Sequence, residues 1–199
     1  MGSKKATVDI ETELNQRIAA VDPQLHRIHN LADGRCQLYA ICDSFNAMQH
    51  HVPGWAPQPI TVPSLHAQMI DYMLEHAAEF SEGMTDGQFE RILDRQLVDP
   101  HNWGNNATLA ACASVLQVCI NIIQAPSGQP LNSVVKIEPQ GVDPAHVIRI
   151  AYHRQLHYEG LTIWPLDVVP PLQSPPQAIT TSPASTINAA ESRDDDTEA

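Results

Sequence analysis

Apolar residues recur at helical spacing through the first half of the chain. Four stretches have apolar side chains at or close to i, i+3, i+4 and i+7, which places them on one face of an amphipathic helix. The predicted helical stretches are 10–21, 38–45, 64–80 and 89–97. Each of them therefore has a side that can pack against a core.

Polar residues indicate where two further helices begin. Asn106 is the predicted N-cap of a helix that follows it, because its side chain can accept hydrogen bonds from free backbone N–H groups. Asp22 followed by Pro23 predicts a second short helix directly after 10–21, since proline is favoured in the first helical turn.

The second half of the chain has short apolar runs in place of helical periodicity. Runs at 118–123, 133–137, 147–152 and 161–164 are predicted strands, with a break expected at Glu159-Gly160 before the last of them. Helices followed by strands are typical of the α+β class. We therefore expect helices packed around a small central β-sheet.

Composition divides the chain into three parts. Residues 1–30 are predicted to be a helical N-terminal lead-in, and residues 31–168 a folded domain. Residues 169–199 are rich in Pro, Ser, Thr and acidic residues. Such a segment cannot offset its loss of conformational entropy by burying apolar surface, so we expect it to be a disordered tail.

Charge and cysteine spacing limit the kinds of partner and site. The 199 residues carry a formal net charge of −12, which argues against nucleic acid as a partner. No apolar stretch approaches the ~20 residues that span a bilayer. The four cysteines lack the CxxC spacing of a structural zinc site. We expect a monomer of the reducing cytoplasm with free thiols, no membrane contact, no metal and no cofactor.

Cys36 has the position of a nucleophile. It follows Asp33-Gly34-Arg35 and falls in the first turn of a predicted helix, where free N–H groups and the positive end of the helix dipole gather. That environment favours the thiolate and can lower a cysteine pKa to about 3.5–7.5. The same N–H groups can stabilise an oxyanion. On this segment alone, an inert buried cysteine is an equally good interpretation.

His157 has the position of a general base. It follows the predicted strand at 147–152 and lies at a strand end or hairpin edge. A cysteine that opens a helix and a histidine that ends a late strand are the two halves of a cysteine-protease site, which meet in space and not in sequence. An ordinary surface histidine is the alternative for this residue taken alone.

Three short motifs occur in a specific order along the chain. They are Asp33-Gly34-Arg35-Cys36, then Trp103-Gly104-Asn105 with a helix after it, then His157-Tyr158-Glu159. In this order they resemble the motifs of the ovarian-tumour (OTU) family of papain-like cysteine deubiquitinases. The chain departs from the family pattern at Asn105, where a second glycine is usual, and at Thr108, which is often acidic. It departs again at Glu159, where Asp or Asn is usual.

The resemblance implies an OTU-like cysteine protease fold over 31–168. It also implies hydrolysis of the isopeptide bond after the C-terminal glycine of ubiquitin. Cys36 would be the nucleophile and His157 the general base, with backbone N–H groups of Gly34 and Arg35 in the oxyanion loop. The implied partner is ubiquitin or polyubiquitin, whose arginine-rich tail suits an acidic chain. A catalytically weak or inactive ubiquitin-binding module is one alternative. A peptidase for a ubiquitin-like modifier or a viral polyprotein is the other.

Two carboxylates compete to orient the His157 imidazole, which needs an acceptor on its second ring nitrogen. Glu159 lies two residues later, on the same face of a strand. Asp33 would approach from the loop that carries the nucleophile. Glutamate is one methylene longer than the usual residue at this position, so Asp33 ranks slightly ahead.

Four residues are candidate substrate contacts: Trp55, Trp103, Asn105 and Tyr158. Trp55 stands among turn-forming residues, which is typical of an exposed contact. A tryptophan that folds back onto the core is an equally good interpretation at that position.

Overall fold

A five-stranded mixed sheet lies at the centre of the described part of the chain. The computed structural model describes residues 9–48, 57–99, 104–125, 128–153 and 157–163. The strands are β1 (His26–Ile28), β2 (Val118–Ala125), β3 (Val135–Ile137), β4 (His146–His153) and β5 (His157–Thr162). Their order across the sheet is β1-β5-β4-β2-β3, so the first strand of the chain lies beside the last.

Helices cover both faces of this sheet. They are α1 (Ile10–Val21), α2 (Cys36–Met48), α3 (Val62–Glu75), α4 (Ala77–Ser81), α5 (Gln88–Val98) and α6 (Asn106–Leu116). The predicted α+β class with helices around a central sheet is confirmed. Among the residues that the structure describes, no helix is both long and apolar enough to cross a membrane.

The larger core lies between the sheet and α2, α3, α5 and α6. On α2 the predicted apolar face is buried as its spacing requires: Leu38, Ile41, Cys42, Phe45. A smaller core forms on the other face of the sheet, where Leu14 and Ile18 of α1 pack with Ile123, Ala151 and Leu161. The segment expected as a lead-in therefore contributes a helix and an edge strand that pack into the fold.

The short helix predicted from Asp22 is wrong, because this segment turns into β1. The Asp22 N–H ends α1 by donating to the Ile18 carbonyl at 3.0 Å. The Asp22 side chain accepts from the Gln24 N–H at 2.9 Å, which closes a turn. The chain then pairs with β5, and Ile28 lies opposite Gly160.

The helix predicted over 64–80 is two helices in the structure. The break falls at His76, which has φ −111° and ψ 28° and caps α3. Both its backbone N–H and its Nδ1 lie 3.0 Å from the Tyr72 carbonyl. α3 ends at this residue, and α4 begins at the next one.

The break predicted at Glu159-Gly160 is also wrong, because β5 runs through both residues. His157 therefore begins this strand and does not end one. A Cβ on Gly160 would lie 3.0 Å from Cβ of Asp43 and 3.2 Å from the carbonyl oxygen of Ala40. The glycine is required for the close approach of α2 to an extended strand, and it marks no turn.

Candidate active site

Cys36 is the first residue of α2, and its side chain is 2 % exposed. The turn before it uses Gly34 at φ 76°. Asp33 braces the same turn, since its Oδ1 accepts from the Arg35 N–H at 3.1 Å. The chain thus reverses tightly and presents the thiol at the free N-terminal end of the helix.

Burial, and not the helix start, dominates the acidity of Cys36. It raises the pKa of the thiol above its ordinary value, and the nearby Asp33 carboxylate raises it further. Hydrogen bonds from the backbone of Tyr158 and Gln37 act in the opposite direction without prevailing. Burial thus outweighs the lowering of the Cys36 pKa that was expected at the helix start.

The hairpin of β4 and β5 brings His157 to the same corner of the fold. The Cys36 thiol meets the backbone of Tyr158, the residue directly after His157. His153 lies opposite His157 in the hairpin, with ring centroids 6.4 Å apart. The Cys36 thiol therefore lies against the backbone of the strand that His157 begins.

The surroundings of His157 favour its neutral imidazole. Burial is the largest effect and lowers the pKa of the imidazole below its ordinary value. The Glu159 carboxylate raises this pKa, whereas the positive charge of Arg27 lowers it. Nδ1 is buried and has no hydrogen-bond partner among the described residues. An unprotonated imidazole with a free buried nitrogen is able to take a proton.

Glu159 is 4 % exposed and lies on the face of the sheet that α1 covers. Its Oε2 accepts from Arg27 Nε at 2.5 Å, and its Oε1 lies 2.7 Å from His29 Nδ1. Burial opposes ionisation, but these two partners prevail and hold the pKa of the carboxyl below its ordinary value. Glu159 is therefore an ionised, buried carboxylate whose charge acts on His157.

Asp33 is engaged with its own loop. Beyond its contact with the Arg35 N–H, its Oδ2 lies 3.1 Å from Arg35 Nη2. The Arg35 guanidinium in turn lies 5.5 Å from the centroid of the Tyr39 ring. In this conformation the Arg35 N–H proposed for the oxyanion loop is occupied by Asp33.

A buried polar network links the start of α2 to the start of α6. Gln37, 1 % exposed, accepts from the Thr108 hydroxyl at 2.7 Å. Thr108 and Asn105 form a capping box, in which Asn105 Oδ1 accepts from the Thr108 N–H at 3.1 Å. Asn105, and not the predicted Asn106, is thus the N-cap. Asn105 and Thr108, where the chain departs from the family pattern, therefore form one helix cap. This cap contacts Gln37, the residue after Cys36.

Tyr158 faces the α2 side of the sheet, opposite to Glu159. Its ring stacks on Tyr152 with centroids 4.3 Å apart. Burial raises the pKa of its phenol to about 12, against a hydrogen bond from the Gln37 side chain. With 8 % of its surface exposed, Tyr158 contributes to the wall of the site.

Two candidate contacts, Trp55 and Trp103, lie outside the described residues. Sequence reasoning in turn missed Gln37, Arg27 and His29. The only signal for Gln37 was a polar residue beside the nucleophile in an otherwise apolar helix. Arg27 and His29 are two residues apart, a spacing that puts both on one face of a strand. Their role near Glu159 becomes visible only once β1 is known to pair with β5.

Comparison with known proteins agrees with this arrangement. The model of the OTU-like cysteine protease family matches residues 31–161. A curated relative, OVARIAN TUMOR DOMAIN-containing deubiquitinating enzyme 4 of Arabidopsis thaliana, is 27 % identical over 137 residues. That alignment covers 66 % of this chain and 41 % of the plant protein, so the chain spans about two fifths of the length of this relative.

Solved structures show the same fold at low identity. The OTU domain of OTUD1 superposes with a TM-score of 0.56 at 20 % identity, over 76 % of this chain and 94 % of that one. The viral OTU domain protease of Taggert virus gives a TM-score of 0.50 at 19 % identity, over 71 % and 81 % of the two chains. The h/ceOTUB1 complex with ubiquitin aldehyde and UBCH5B~Ub gives 0.52 at 9 % identity, over 77 % and 83 %.

The family match includes both Cys36 and His157 and extends over more than half of the sequence. The fold of the described residues is that of solved OTU domains. On these grounds the chain belongs to the OTU-like cysteine protease family.

Proposed function

We propose that this protein is a cysteine deubiquitinase that hydrolyses the isopeptide bond after the C-terminal glycine of ubiquitin. The observation that carries the proposal is the position of the Cys36 thiol, which lies at the start of α2 against the backbone of the residue after His157. A thiol nucleophile and a neutral imidazole in one corner are the minimum for acyl transfer.

The protonation states favour proton transfer during the reaction over a preformed ion pair. Burial raises the pKa of the Cys36 thiol and lowers the pKa of the His157 imidazole in the resting conformation. His157 takes the thiol proton as Cys36 attacks the carbonyl carbon, and a tetrahedral oxyanion forms. The imidazolium then donates that proton to the departing lysine amine, leaving a thioester. Water, deprotonated by His157, releases ubiquitin and restores the thiol.

Backbone donors at the start of α2 support the oxyanion step. The backbones of Cys36 and Gln37 act on the thiol and lower its pKa. Their N–H groups lie in the first turn of the helix, where they have no intrahelical acceptor. One donor of this kind is worth about 10²–10³ in kcat in other acyl-transfer enzymes.

Ubiquitin as substrate is supported by the relatives. The plant protein is named as a deubiquitinating enzyme, and h/ceOTUB1 was solved with ubiquitin aldehyde. The net charge of −12 suits the arginine-rich tail that must enter the cleft. A ubiquitin-like modifier or a viral polyprotein is the alternative substrate.

A ubiquitin-binding module with weak or no activity is the second candidate function. The observation that favours it is the resting site itself, with a protonated thiol and a buried His157 Nδ1 that has no partner among the described residues. The two functions differ in whether Cys36 reacts when ubiquitin is bound.

A reactive ubiquitin probe and a panel of linkage-defined di-ubiquitins test the proposal. We expect the probe to add covalently to Cys36 and at least one di-ubiquitin to be cleaved. Binding of ubiquitin with neither adduct nor cleavage would favour the inactive module. Reaction only with a probe built on a ubiquitin-like modifier would redirect the substrate assignment.

The two candidate carboxylates are expected to differ in their effect on catalysis. The charge of Glu159 acts on His157, whereas that of Asp33 acts on Cys36 and Tyr39. This distribution supports Glu159 over Asp33 as the group that assists the base, reversing the order expected from side-chain length. Glu159→Gln should lower kcat by about 10² or more, the low end of what a general base contributes.

Asp33→Ala serves as the comparison in the same di-ubiquitin assay. It removes the brace of the loop before Cys36, so we expect a smaller loss in kcat than for Glu159→Gln. Near-normal turnover by Glu159→Gln beside collapse in Asp33→Ala would restore the original ranking. Collapse of both would mean that the two carboxylates act together.

A further inference from the structure

The Glu159 carboxylate belongs to a cluster of charges built by the N-terminal segment. Arg27 of β1 meets Glu159 at 2.5 Å, and the side chains of the pair are 13 % and 5 % exposed. The Arg27 guanidinium is held from three other sides. Its Nη2 lies 3.0 Å from His153 Nε2 and its Nη1 lies 3.1 Å from Asn15 Oδ1, and it also contacts Glu11.

The titratable groups around Glu159 come from every element packed against it. Arg27 and His29 approach from β1 and the residue after it, and His153 Nε2 lies 3.6 Å away on β4. Glu11 of α1 lies behind them, with its Oε2 3.7 Å from His153 Nδ1. His157 precedes Glu159 by two residues on β5.

Only Arg27 in this set is a cation at every relevant pH, since guanidinium does not deprotonate in proteins. His29 is the other contact of the carboxylate, but its side chain is 70 % exposed and its charge depends on pH. His153 Nε2 lies 3.0 Å from Arg27 Nη2, and a guanidinium can only donate. The constant positive charge beside Glu159 is therefore that of Arg27.

We propose that Arg27 is a positioning residue of the catalytic site, which keeps Glu159 ionised and fixed where its charge stabilises protonated His157. The inference rests on the proposed function for its consequence in turnover. The claim that Arg27 keeps Glu159 ionised depends only on the contacts of Arg27.

Loss of Arg27 would act on His157 mainly through Glu159, against the smaller gain from removing the repulsion between Arg27 and protonated His157. A buried carboxylate that loses its cation is strongly disfavoured and takes up a proton more readily. The pKa of Glu159, now held down by Arg27 and His29 against burial, would rise. Protonated Glu159 no longer favours the imidazolium of His157, so proton transfer from Cys36 becomes harder on the acidic side of the pH range.

The test compares Arg27→Gln, Arg27→Lys and Arg27→Gln/Glu159→Gln with the wild-type chain. Carboxyl carbon NMR of Glu159 should show its titration midpoint shifted upward in Arg27→Gln. With di-ubiquitin, kcat should fall by about tenfold or more near pH 6 and less near pH 8, with KM unchanged. Tenfold is the low end of the loss seen when groups that orient metal-binding side chains are removed. Arg27→Lys keeps the charge and should retain most of the kcat.

Arg17→Gln is the matched control. Arg17 is a buried arginine, 3 % exposed, and its Nε lies 2.8 Å from Glu13 Oε1. Its other contacts are the carbonyls of Gln129 and Pro130, both at 3.0 Å. We expect this variant to lower the melting temperature without changing the shape of the pH profile.

Three results would overturn the inference. One is an unchanged Glu159 titration in Arg27→Gln. Another is a pH profile that keeps the wild-type shape while the melting temperature falls, as for Arg17→Gln. The third is a double variant in which the losses from Arg27→Gln and Glu159→Gln multiply, because a residue that acts through Glu159 adds nothing once Glu159 is neutral. The NMR titration does not require activity, so it separates failure of this inference from failure of the proposed function.

Discussion

Cys36→Ala should abolish cleavage of di-ubiquitin while leaving the fold and ubiquitin binding intact. Loss of the nucleophile from a serine protease costs about 10⁶ in kcat, and we expect a loss of that order here. The substitution removes one sulfur atom at the end of a helix, so the free energy of unfolding should change little. Cys36 is the cysteine whose thiol contacts the backbone of Tyr158, the residue after His157.

The other three cysteines provide matched controls for this result. Burial raises the pKa of Cys112 to about 12 and that of Cys42 well above its ordinary value. Burial also raises the pKa of Cys119, which lies on β2. Alanine at each of these positions should lower the melting temperature modestly and preserve kcat. Full turnover by Cys36→Ala, or loss of turnover in a folded control variant, would contradict the assignment.

Gly104→Ala should be the most damaging substitution of a single methyl group near the site. The added Cβ would lie 1.9 Å from Oε1 and 2.4 Å from Cδ of Gln37. Gln37 cannot move aside freely, because Thr108 donates to that same oxygen. Overpacking of a filled core typically costs about 1–3 kcal/mol in the free energy of unfolding. Displacement of Gln37 should also lower kcat, because its backbone and that of Cys36 act on the thiol.

Chemical denaturation and di-ubiquitin kinetics measure both effects. Gly128→Ala is the control, since no atom lies within 4 Å of a Cβ at that position, although its φ of +67° is itself unfavourable for alanine. In Gly104→Ala/Gln37→Ala the clashing atoms are gone, so the combined loss of stability should be smaller than the sum of the single losses. Strict additivity of the two would show that Gly104 and Gln37 do not share this contact.

The helices near the site follow from local periodicity. The apolar face of α2 is set by spacing within thirteen residues, because the 3.6-residue repeat needs no information from elsewhere in the chain. The strands predicted at 118–123 and 147–152 are confirmed. They too were predictable locally, because short apolar runs rich in β-branched residues favour strands over helices. The three ordered motifs likewise predicted the family, since each is a local pattern.

Predictions failed where a distant segment decides the local structure. Glu159-Gly160 has the composition of a turn. Both residues lie in β5, however, and α2 approaches the strand so closely that only glycine fits at position 160. His76 ends α3 because its backbone leaves helical geometry, at φ −111° and ψ 28°, which the apolar spacing of 64–80 does not reveal. The segment after Asp22 is a strand because β1 pairs with β5, which lies more than a hundred residues later in sequence.

By itself, the sequence of this protein determined the family and predicts which residues would carry the chemistry: a cysteine at a helix start, a histidine by a strand, and two carboxylates. Tertiary structure alone decided their protonation and their partners. The pKa of Cys36 depends on how much water the assembled fold excludes, and periodicity carries no measure of that exclusion. The pairing of Arg27 with Glu159 depends on the strand order that sets β1 beside β5, which only the packed sheet defines.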